Sequence, residues 1–238
     1  MKSDMPKIKK SFYSVVVKRV LDILLSATAL IVLSPVLLLV GILELAFHGK
    51  PILYCTKRPG KDGKIFPMYK FRSMTNERGD DGYLLPEEKR LTKFGHFIRK
   101  TSIDELPGLI NVLKGDMSIV GPRPLLAEYM QYYNTRHAMR QAVRPGLTLE
   151  RIVKSDSRTW TWREQFENDI WYIEHISFAT DIRMVSAIIK AVLRGSEFRA
   201  SDTRAPFDGT NLDETRNRDE LGIKVHFESL EKGLEDGR

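Results

Sequence analysis

VLDILLSATALIVLSPVLLLVGILELAF, residues 20–47, is the only strongly apolar stretch of the chain, and Ser34-Pro35 interrupts it near its middle. Its length would suffice for a single transmembrane helix, which needs ~20 mostly apolar residues. The flanks argue otherwise. Lys2, Lys7, Lys9, Lys10, Lys18 and Arg19 precede the stretch, and Lys50, Lys57, Arg58, Lys61, Lys64, Lys70 and Arg72 follow it. Basic flanks prefer the cytoplasmic side, so both ends favour the same face of a membrane. A helix-break-helix hairpin allows that and a straight span does not. Pro35 supplies the break: it lacks the N–H that would meet the Ile31 carbonyl, and its ring clashes with that turn. In lipid the orphaned carbonyl needs another donor, and the Ser34 hydroxyl can back-bond to Leu30 or Ile31. Proline also kinks helices that do span, so a bent spanning helix stays open beside the re-entrant hairpin. A secretory signal peptide does not fit, because the stretch is too long and no small-residue cleavage site follows.

What remains of the 238 residues suits one globular domain. The expected division is a basic N-terminus with the hairpin over 1–50, a catalytic domain over 51–200 and an acidic tail over 201–238. The formal charge of +7 is unevenly placed: residues 201–238 hold 10 acidic and 6 basic side chains, which leaves +11 on residues 1–200. The natural counter-charges are anionic headgroups or a phosphorylated substrate. Nucleic acid would also explain a basic balance, but not the hairpin. Cys55 is the only cysteine, so no intrachain disulfide forms, and it is expected to be a small buried hydrophobe. His48, His96, His137, His175 and His226 show no metal-ligand spacing and receive no role.

Cys55 to Met74 is predicted to be a β-hairpin turning at Gly60-Lys61-Asp62-Gly63. If Met68 to Ser73 is extended, Lys70 and Arg72 share a face. Asn76 to Lys89 is predicted to be a mobile surface loop, and the tail from Ser201 a loosely held appendage. Thr180-Asp181 is expected to cap a helix with Ile182, Val185, Ile188, Ile189 and Val192 on one side. That pattern fits an interfacial helix and a core-facing one equally.

The richest chemistry lies in FIRKTSIDELPGLINVLKG, residues 97–115. Leu106, Leu109, Ile110 and Leu113 recur at helical spacing and should form one buried face, with Gly115 as a stop. Pro107 is tolerated only in a first turn, so the helix should begin near Ser102, Ile103 or Asp104. Asp104 would then sit where free N–H groups favour an anion. Ser102-x-x-Glu105 also has the form of a simple capping box. Two observations point past capping: Arg99 precedes the acidic pair, and Arg123 follows in Gly121-Pro122-Arg123-Pro124. Arg144-Pro145-Gly146 repeats the theme. Guanidinium groups bind phosphate oxygens bidentately, and beside a carboxylate they suit phosphoryl transfer.

Five stretches occur in the order found in a known family: KRVLD (18–22), the Ser34-Pro35 break, KFRSM (70–74), RKTSIDELPGLINVLKGDMSIVGPRP (99–124) and RPGLT (144–148). Over roughly residues 12–195 the chain resembles the bacterial sugar transferases, the monotopic polyprenyl-phosphate phosphoglycosyl transferases that begin exopolysaccharide, capsule, O-antigen and protein-glycan synthesis. The resemblance implies an α/β, mostly helical fold. A re-entrant membrane hairpin would precede a small cytoplasmic catalytic core with interfacial amphipathic helices, on the cytoplasmic face of the bacterial inner membrane. It implies transfer of sugar-1-phosphate from a UDP-sugar to undecaprenyl phosphate, releasing UMP, with Mg²⁺ as cofactor. Asp104 would be the nucleophile and Glu105 would serve the metal, with Asp104 beside it. Lys70, Arg99 and Arg123 match positions tied to the phosphates, and Arg72 and Arg144 join them as candidate phosphate ligands. Ser34 and Pro35 match the re-entrant break. Expected partners are the two substrates, inner-membrane lipids and downstream glycosyltransferases, with homodimerisation open and no nucleic acid.

Two departures stand out. Thr56 occupies a position where family members often carry Gln, two residues before Arg58, and Leu149-Glu150-Arg151 replaces a common Gly-Trp continuation, with Trp160 and Trp162 later. Both touch a region expected to shape sugar or nucleotide recognition. The rival functions are a non-catalytic membrane-anchored scaffold of a polysaccharide assembly complex, a membrane-tethered nucleic-acid binder, and a hydrolase using two carboxylates. The concentration of Arg weakens the last.

Overall fold

The computed structural model describes residue 8 and residues 10–149, 161–193 and 205–213. A π-helical turn over Tyr13–Val17 runs into α1 (Lys18–Val32), and α2 (Ser34–His48) follows at a bend of 62°. The hinge is Leu33, one residue before the expected break, so Pro35 falls in the first turn of α2, where its missing N–H is tolerated. The Ser34 hydroxyl donates to the Ile31 carbonyl at 2.7 Å. It thereby replaces the donor that Pro35 withholds. No single helix among the described residues is long and apolar enough to cross a membrane, and the bent pair meets that test only by length and composition.

The two arms bury a narrow polar stripe, Asp22 and Ser26 on α1 and Glu44 on α2, together with Val40, while Leu24, Leu25, Ile31, Val32, Leu38, Leu39 and Ile42 are exposed. Asp22 from this stripe and the polar residues just before it dock α1 on the rest of the chain. Lys18 reaches Asp181 at 2.6 Å, and Tyr13 donates to the same carboxylate oxygen at 2.7 Å. Arg19 donates to the carbonyls of Val112 and Leu113 at 2.6 and 2.9 Å. Asp22 Oδ1 accepts from the Ser118 hydroxyl and the Ile119 N–H, each at 3.0 Å.

Strands β1 (Leu53–Pro59) and β2 (Ile65–Phe71) form the expected antiparallel hairpin, in register Tyr54↔Lys70, Thr56↔Met68 and Arg58↔Phe66. These residues share the inner face, because partners across a strand pair point the same way. Cys55 belongs to the outer face and is exposed rather than buried, as the alternation requires. The segment after β2 is largely coil, with a short helix α3 (Glu87–Arg90) and a bridge between Arg78 and Leu84. Next comes α4 (Lys93–Lys100), capped by the Thr92 hydroxyl, which accepts from the Gly95 N–H at 2.9 Å. Gly95 is required there, since a Cβ would collide with the Ser73 carbonyl.

The acidic pair lies in a separate 3-10 turn, Ile103–Glu105, and α5 (Gly108–Lys114) starts only after Pro107. The single helix expected from Ser102 to Leu113 is therefore split. Its buried face also differs: Gly108, Leu109, Asn111 and Val112 are buried, whereas Ile110 and Leu113 are exposed. The apolar spacing misled because Asn111 is a core residue, accepting from the Tyr69 N–H at 3.0 Å and donating to the Pro67 carbonyl at 2.7 Å. Gly115 does end the helix, at φ +97°.

Strand β3 (Ser118–Val120), the short helix α6 (Thr135–Ala138) and β4 (Gly146–Thr148) follow, with β3 and β4 paired in parallel. Helix α7 (Trp162–Glu174) opens with a complete capping box between Thr161 and Glu164. Helix α8 (Phe178–Leu193) begins before Thr180-Asp181, and Ser177 accepts from the Thr180 N–H at 3.2 Å. Asp181 is a buried anchor rather than a cap, bonded to Tyr13, Lys18 and Tyr172. Ile182 is exposed and Met184 is buried, so the apolar stripe does not all face the core. The side chains of Ile188, Ile189 and Val192 lie outside the described residues, as do residues 150–160 and the tail beyond 213. Within the tail, 205–213 is no appendage. Phe207, 2% exposed, completes a core of Leu125, Tyr129, Trp162 and Phe166, and the Trp162 indole donates to the Ala205 carbonyl at 3.0 Å.

Candidate active site

Ser102 turns the chain from α4 toward the acidic pair in the left-handed region, at φ +56°. A non-glycine residue held there stores strain of ~1–3 kcal/mol. The Ser102 hydroxyl makes no cap bond, and it is buried without a hydrogen-bond partner. The capping box is thus not formed. Glu105 is turned to cations instead, and its Oε1 receives Lys70 Nζ at 2.9 Å and an Arg123 guanidinium nitrogen at 3.2 Å. Asp104, one residue earlier, is 4% exposed. Lys70 comes from the inner face of β2 and Arg123 from the loop after β3, so one carboxylate gathers cations from two separate segments.

That loop is held from both sides. The Pro122 carbonyl accepts from the Gly146 N–H at 2.9 Å, and Gly146 packs so close to Gly121 that no Cβ fits between them. Arg140 donates to the Arg123 carbonyl at 2.6 Å and to Asp169 Oδ2 at 2.7 and 3.0 Å. Arg140 and Asp169 are both buried. Burial disfavours the Arg140 charge, but Asp169 and Tyr133 outweigh it and hold its pKa above the ordinary value. Sequence reasoning missed this pair, since one Arg and one Asp 29 residues apart carry no pattern.

Arg99, in the last turn of α4, donates to the Ser73 hydroxyl at 2.7 Å. Arg58 was not among the expected site residues. It lies on the inner face of β1 and donates to Thr56 at 3.3 Å. Burial first, and the Arg123 charge second, bring its pKa down to about 10, so it stays cationic at neutral pH. Tyr54, on the same face, feels Arg58 and Arg99 together, although burial dominates and raises its phenol pKa.

Two candidates stand elsewhere. Arg72 lies past the end of β2, is buried, and donates to the carbonyls of His48 and Pro51 at 3.1 and 3.2 Å. It ties the end of α2 to the hairpin and shares no face with Lys70, because the strand stops at Phe71. Arg144 donates to the Gly115 carbonyl at 2.8 Å, at the far end of α5 from the acidic pair. Seven residues of helix separate those ends by ~10 Å. Ser34 and Pro35 open α2 just after the hinge at Leu33, and no role at the site falls to them. His48, given no role from sequence, bridges Glu44 and Thr92 at 2.9 Å each and so joins α2 to the cap of α4.

Among the described residues no group of three acidic, His or Cys side chains would hold a metal unaided. Mg²⁺ commonly takes one or two carboxylates and completes its shell with substrate phosphates and water. Asp104 and Glu105 fit that donor set.

Residues 13–195 match the bacterial sugar transferase family model. The chain is 44% identical to the uncharacterized sugar transferase EpsL of Bacillus subtilis, over 75% of this chain and 88% of that protein. It is 35% identical to an undecaprenyl-phosphate galactose phosphotransferase of Salmonella typhimurium, over 74% of this chain and 40% of that protein. It is also 36% identical to a UDP-glucose:undecaprenyl-phosphate glucose-1-phosphate transferase of Klebsiella pneumoniae, over 72% of this chain and 39% of that protein. The chain thus spans less than half the length of the latter two.

Proposed function

The chain belongs to the bacterial sugar transferase family, and from that premise we propose that it moves sugar-1-phosphate from a UDP-sugar to undecaprenyl phosphate through a covalent phosphosugar on Asp104. The observation that carries this reading is the cluster of Lys70 and Arg123 on Glu105, directly beside the buried Asp104. An Asp104 oxygen attacks the β-phosphorus, the bond to the α-phosphate oxygen breaks, and UMP leaves with that electron pair. An oxygen of the lipid phosphate then attacks the same phosphorus and expels the carboxylate. No proton must move in either step, so no general base is needed. Lys70 and Arg123 orient Glu105 and supply positive charge where the diphosphate arrives. Mg²⁺ held by Asp104, Glu105 and the donor's phosphates would offset the repulsion between that carboxylate and its substrate.

The docking of the hairpin supports a re-entrant membrane segment. The start of α1 is bound to α8, α5 and β3 through Lys18, Arg19 and Asp22, and the end of α2 is bound through His48 and Arg72. One globular body holds both ends. A spanning helix would have to tear one set of these contacts away, whereas a hairpin keeps both while its outer apolar residues meet lipid. The basic flanks then lie on the cytoplasmic face of the inner membrane.

The test is mass spectrometry of the protein incubated with a panel of UDP-sugars and Mg²⁺ without lipid acceptor. A sugar phosphate should add to the peptide containing Asp104, and Asp104→Asn should lose both the adduct and turnover. Full turnover in Asp104→Asn would end the covalent reading. Absence of turnover in the native protein with every donor would leave the scaffold.

A further inference from the structure

Glu44 is the only acidic residue between Asp22 and Asp62, and it lies in the apolar arm α2 with no exposed surface. Its Oε2 is 2.9 Å from His48 Nδ1, and both side chains are fully enclosed. The other ring nitrogen, Nε2, meets the Thr92 hydroxyl at 2.9 Å, and the same oxygen caps α4 by accepting from the Gly95 N–H at 2.9 Å. Phe47 stacks on Phe94 at 5.1 Å and closes the same joint between α2 and α4. Nothing in the proposed reaction uses Glu44 or His48. Packing alone does not call for them either, since well-packed apolar residues in place of a buried ion pair are commonly neutral or stabilising.

The direction of each bond in this row depends on how many protons the pair holds. With Glu44 ionised and the imidazole neutral, Nδ1–H donates to the carboxylate and Nε2 is an acceptor, so the Thr92 hydroxyl donates to it. Thr92 Oγ1 then accepts from Gly95, and every group in the row is used. A second proton turns the Thr92 bond round. On the ring it makes both nitrogens donors. On the carboxyl it settles at Oε2, because the buried Oε1 has no hydrogen-bond partner among the described residues. Oε2–H then donates to Nδ1, and the ring carries its own hydrogen on Nε2. In both cases Nε2–H donates to Thr92 Oγ1 and shares that oxygen with the Gly95 N–H. The hydroxyl hydrogen of Thr92 is left without an acceptor, since among the described residues that hydroxyl makes no other bond.

The charges that act on Glu44 are those of His48 and Arg72. Arg72 is buried, holds the His48 and Pro51 carbonyls at 3.1 and 3.2 Å, and balances the ionised carboxylate. Lys50 after α2, and Lys93 and His96 on α4, are exposed to solvent.

We infer that Glu44 and His48 are a proton-linked positioning pair, which fastens α2 to the start of α4 when it holds one proton and loosens that joint when it takes up a second. Helix α4 runs to Lys100, and the turn at Ser102 leads on to Asp104. A loosened start of α4 therefore reaches the nucleophile through one short helix. That last step rests on the proposed function, whereas the latch itself does not.

The latch is tested without turnover, by amide hydrogen exchange over residues 92–100 of the full-length protein in lipid nanodiscs. The scan runs from about pH 5 to 8, the range in which histidine changes charge, with each rate divided by the intrinsic rate at its pH. Corrected exchange should rise about fivefold toward low pH, the effect of losing one helix cap. Glu44→Gln keeps the shape and a hydrogen bond to His48 but removes the ionisable carboxylate. Without that counter-charge the enclosed ring stays neutral, and the rise should vanish. In the native protein UMP release to the lipid acceptor should fall over the same pH range, through kcat rather than the donor's KM, and Glu44→Gln should flatten that limb. A purely structural pair would lower the melting temperature when mutated and leave both profiles unchanged. Exchange over 92–100 that ignores pH in the native protein would overturn the inference, as would a transition that persists at the same midpoint in Glu44→Gln. If that variant does not fold, His48→Gln also removes the titrating ring, and a surviving transition there is equally fatal. An exchange transition with no matching change in kcat would overturn the positioning role. Absence of turnover at every pH beside an intact exchange transition would instead strike at the proposed function and leave the latch standing.

Discussion

Deleting the chain after Ser201 should destabilise the whole domain, and Phe207→Ala should reproduce most of that effect alone. Phe207 is 2% exposed and packs edge-on or tilted against Tyr129, Trp162 and Phe166, with ring centroids 6.0, 5.5 and 5.1 Å away. Truncating a ring so enclosed to Ala costs ~3–5 kcal/mol. Deletion adds the loss of the Ala205 carbonyl from the buried Trp162 indole, ~1–3 kcal/mol. The exposed Arg163–Asp213 ion pair, 2.5 Å long, adds little. Against a total of ~5–15 kcal/mol for a typical domain, that is a large share. For a chain of this size each kcal/mol moves the melting temperature by ~2–4 °C, so Phe207→Ala should lower it by about 6–20 °C. The assay is thermal unfolding followed by tryptophan fluorescence in nanodiscs, with Phe207→Leu as a milder control. Turnover should suffer even below the transition, because Phe166 and Tyr133 in this core flank Arg140, which holds the Arg123 carbonyl. A melting temperature within a degree or two of native, with full turnover in both variants, would refute the reasoning and return residues 205–213 to the status of an appendage.

Asp169→Asn should cost ~3–5 kcal/mol, the usual result of stranding one partner of a buried ion pair, and should lower kcat by loosening the Arg123 loop; an unchanged unfolding midpoint in urea would contradict this. Burial, chiefly, holds the His137 imidazole below its ordinary pKa of 6.5 while it stacks on Phe166 at 4.3 Å. The unfolded chain therefore binds the proton more readily, and stability should fall as the pH drops below ~6.5 toward the folded-state value; His137→Phe should flatten the melting-temperature profile over that range, and parallel profiles would exclude His137 as the source. Ser102→Gly should keep or raise the melting temperature, since it removes left-handed strain and a buried hydroxyl without a partner against ~1 kcal/mol of added chain entropy; a drop of several degrees would show that the hydroxyl is satisfied in the folded protein. Cysteines placed near Lys10 and Lys61 should both react only from the cytoplasmic side in cells, and periplasmic labelling of the first alone would establish a spanning helix.

The bend near Ser34-Pro35 and the β-hairpin turning at Gly60–Gly63 were legible because each depends on local chemistry. A proline must break the ladder wherever the chain goes, and a Gly-x-x-Gly turn between β-rich runs closes on itself. What sequence obscured was decided by partners far along the chain. Leu106, Leu109, Ile110 and Leu113 predict a buried face, yet Asn111 takes the core position because Tyr69 and Pro67 on β2 offer it backbone partners. Arg72 alternates with Lys70 in sequence, but the strand ends between them and the carbonyls at the close of α2 claim its guanidinium. Phe207 is one aromatic in a charged, glycine-containing tail, and only the cavity left by Tyr129, Trp162 and Phe166 gives it a place. Ser102 and Glu105 fit a capping box in spacing, and the box fails because Lys70 and Arg123 compete for the Glu105 carboxylate.

The same contacts explain how the bent helix pair and the charged site belong to one body. Thr92, which caps α4, also meets His48 at the end of α2, and α4 presents Arg99 in its last turn before the chain passes through Ser102 to Asp104. On the other arm, Arg19 holds the C-terminal carbonyls of α5, whose N-terminus follows Glu105 within three residues, and Asp22 holds the start of β3, which leads to Arg123. Each arm of the hairpin is thus one or two rigid elements away from a charged group of the site. The bent helix pair is a structural wall of the charged site, and on the proposed reading it is the contact with lipid as well. A shift of either arm therefore displaces Arg99 or Arg123 relative to Asp104, and ~1 Å of misplacement at a reacting centre costs about a hundredfold in rate.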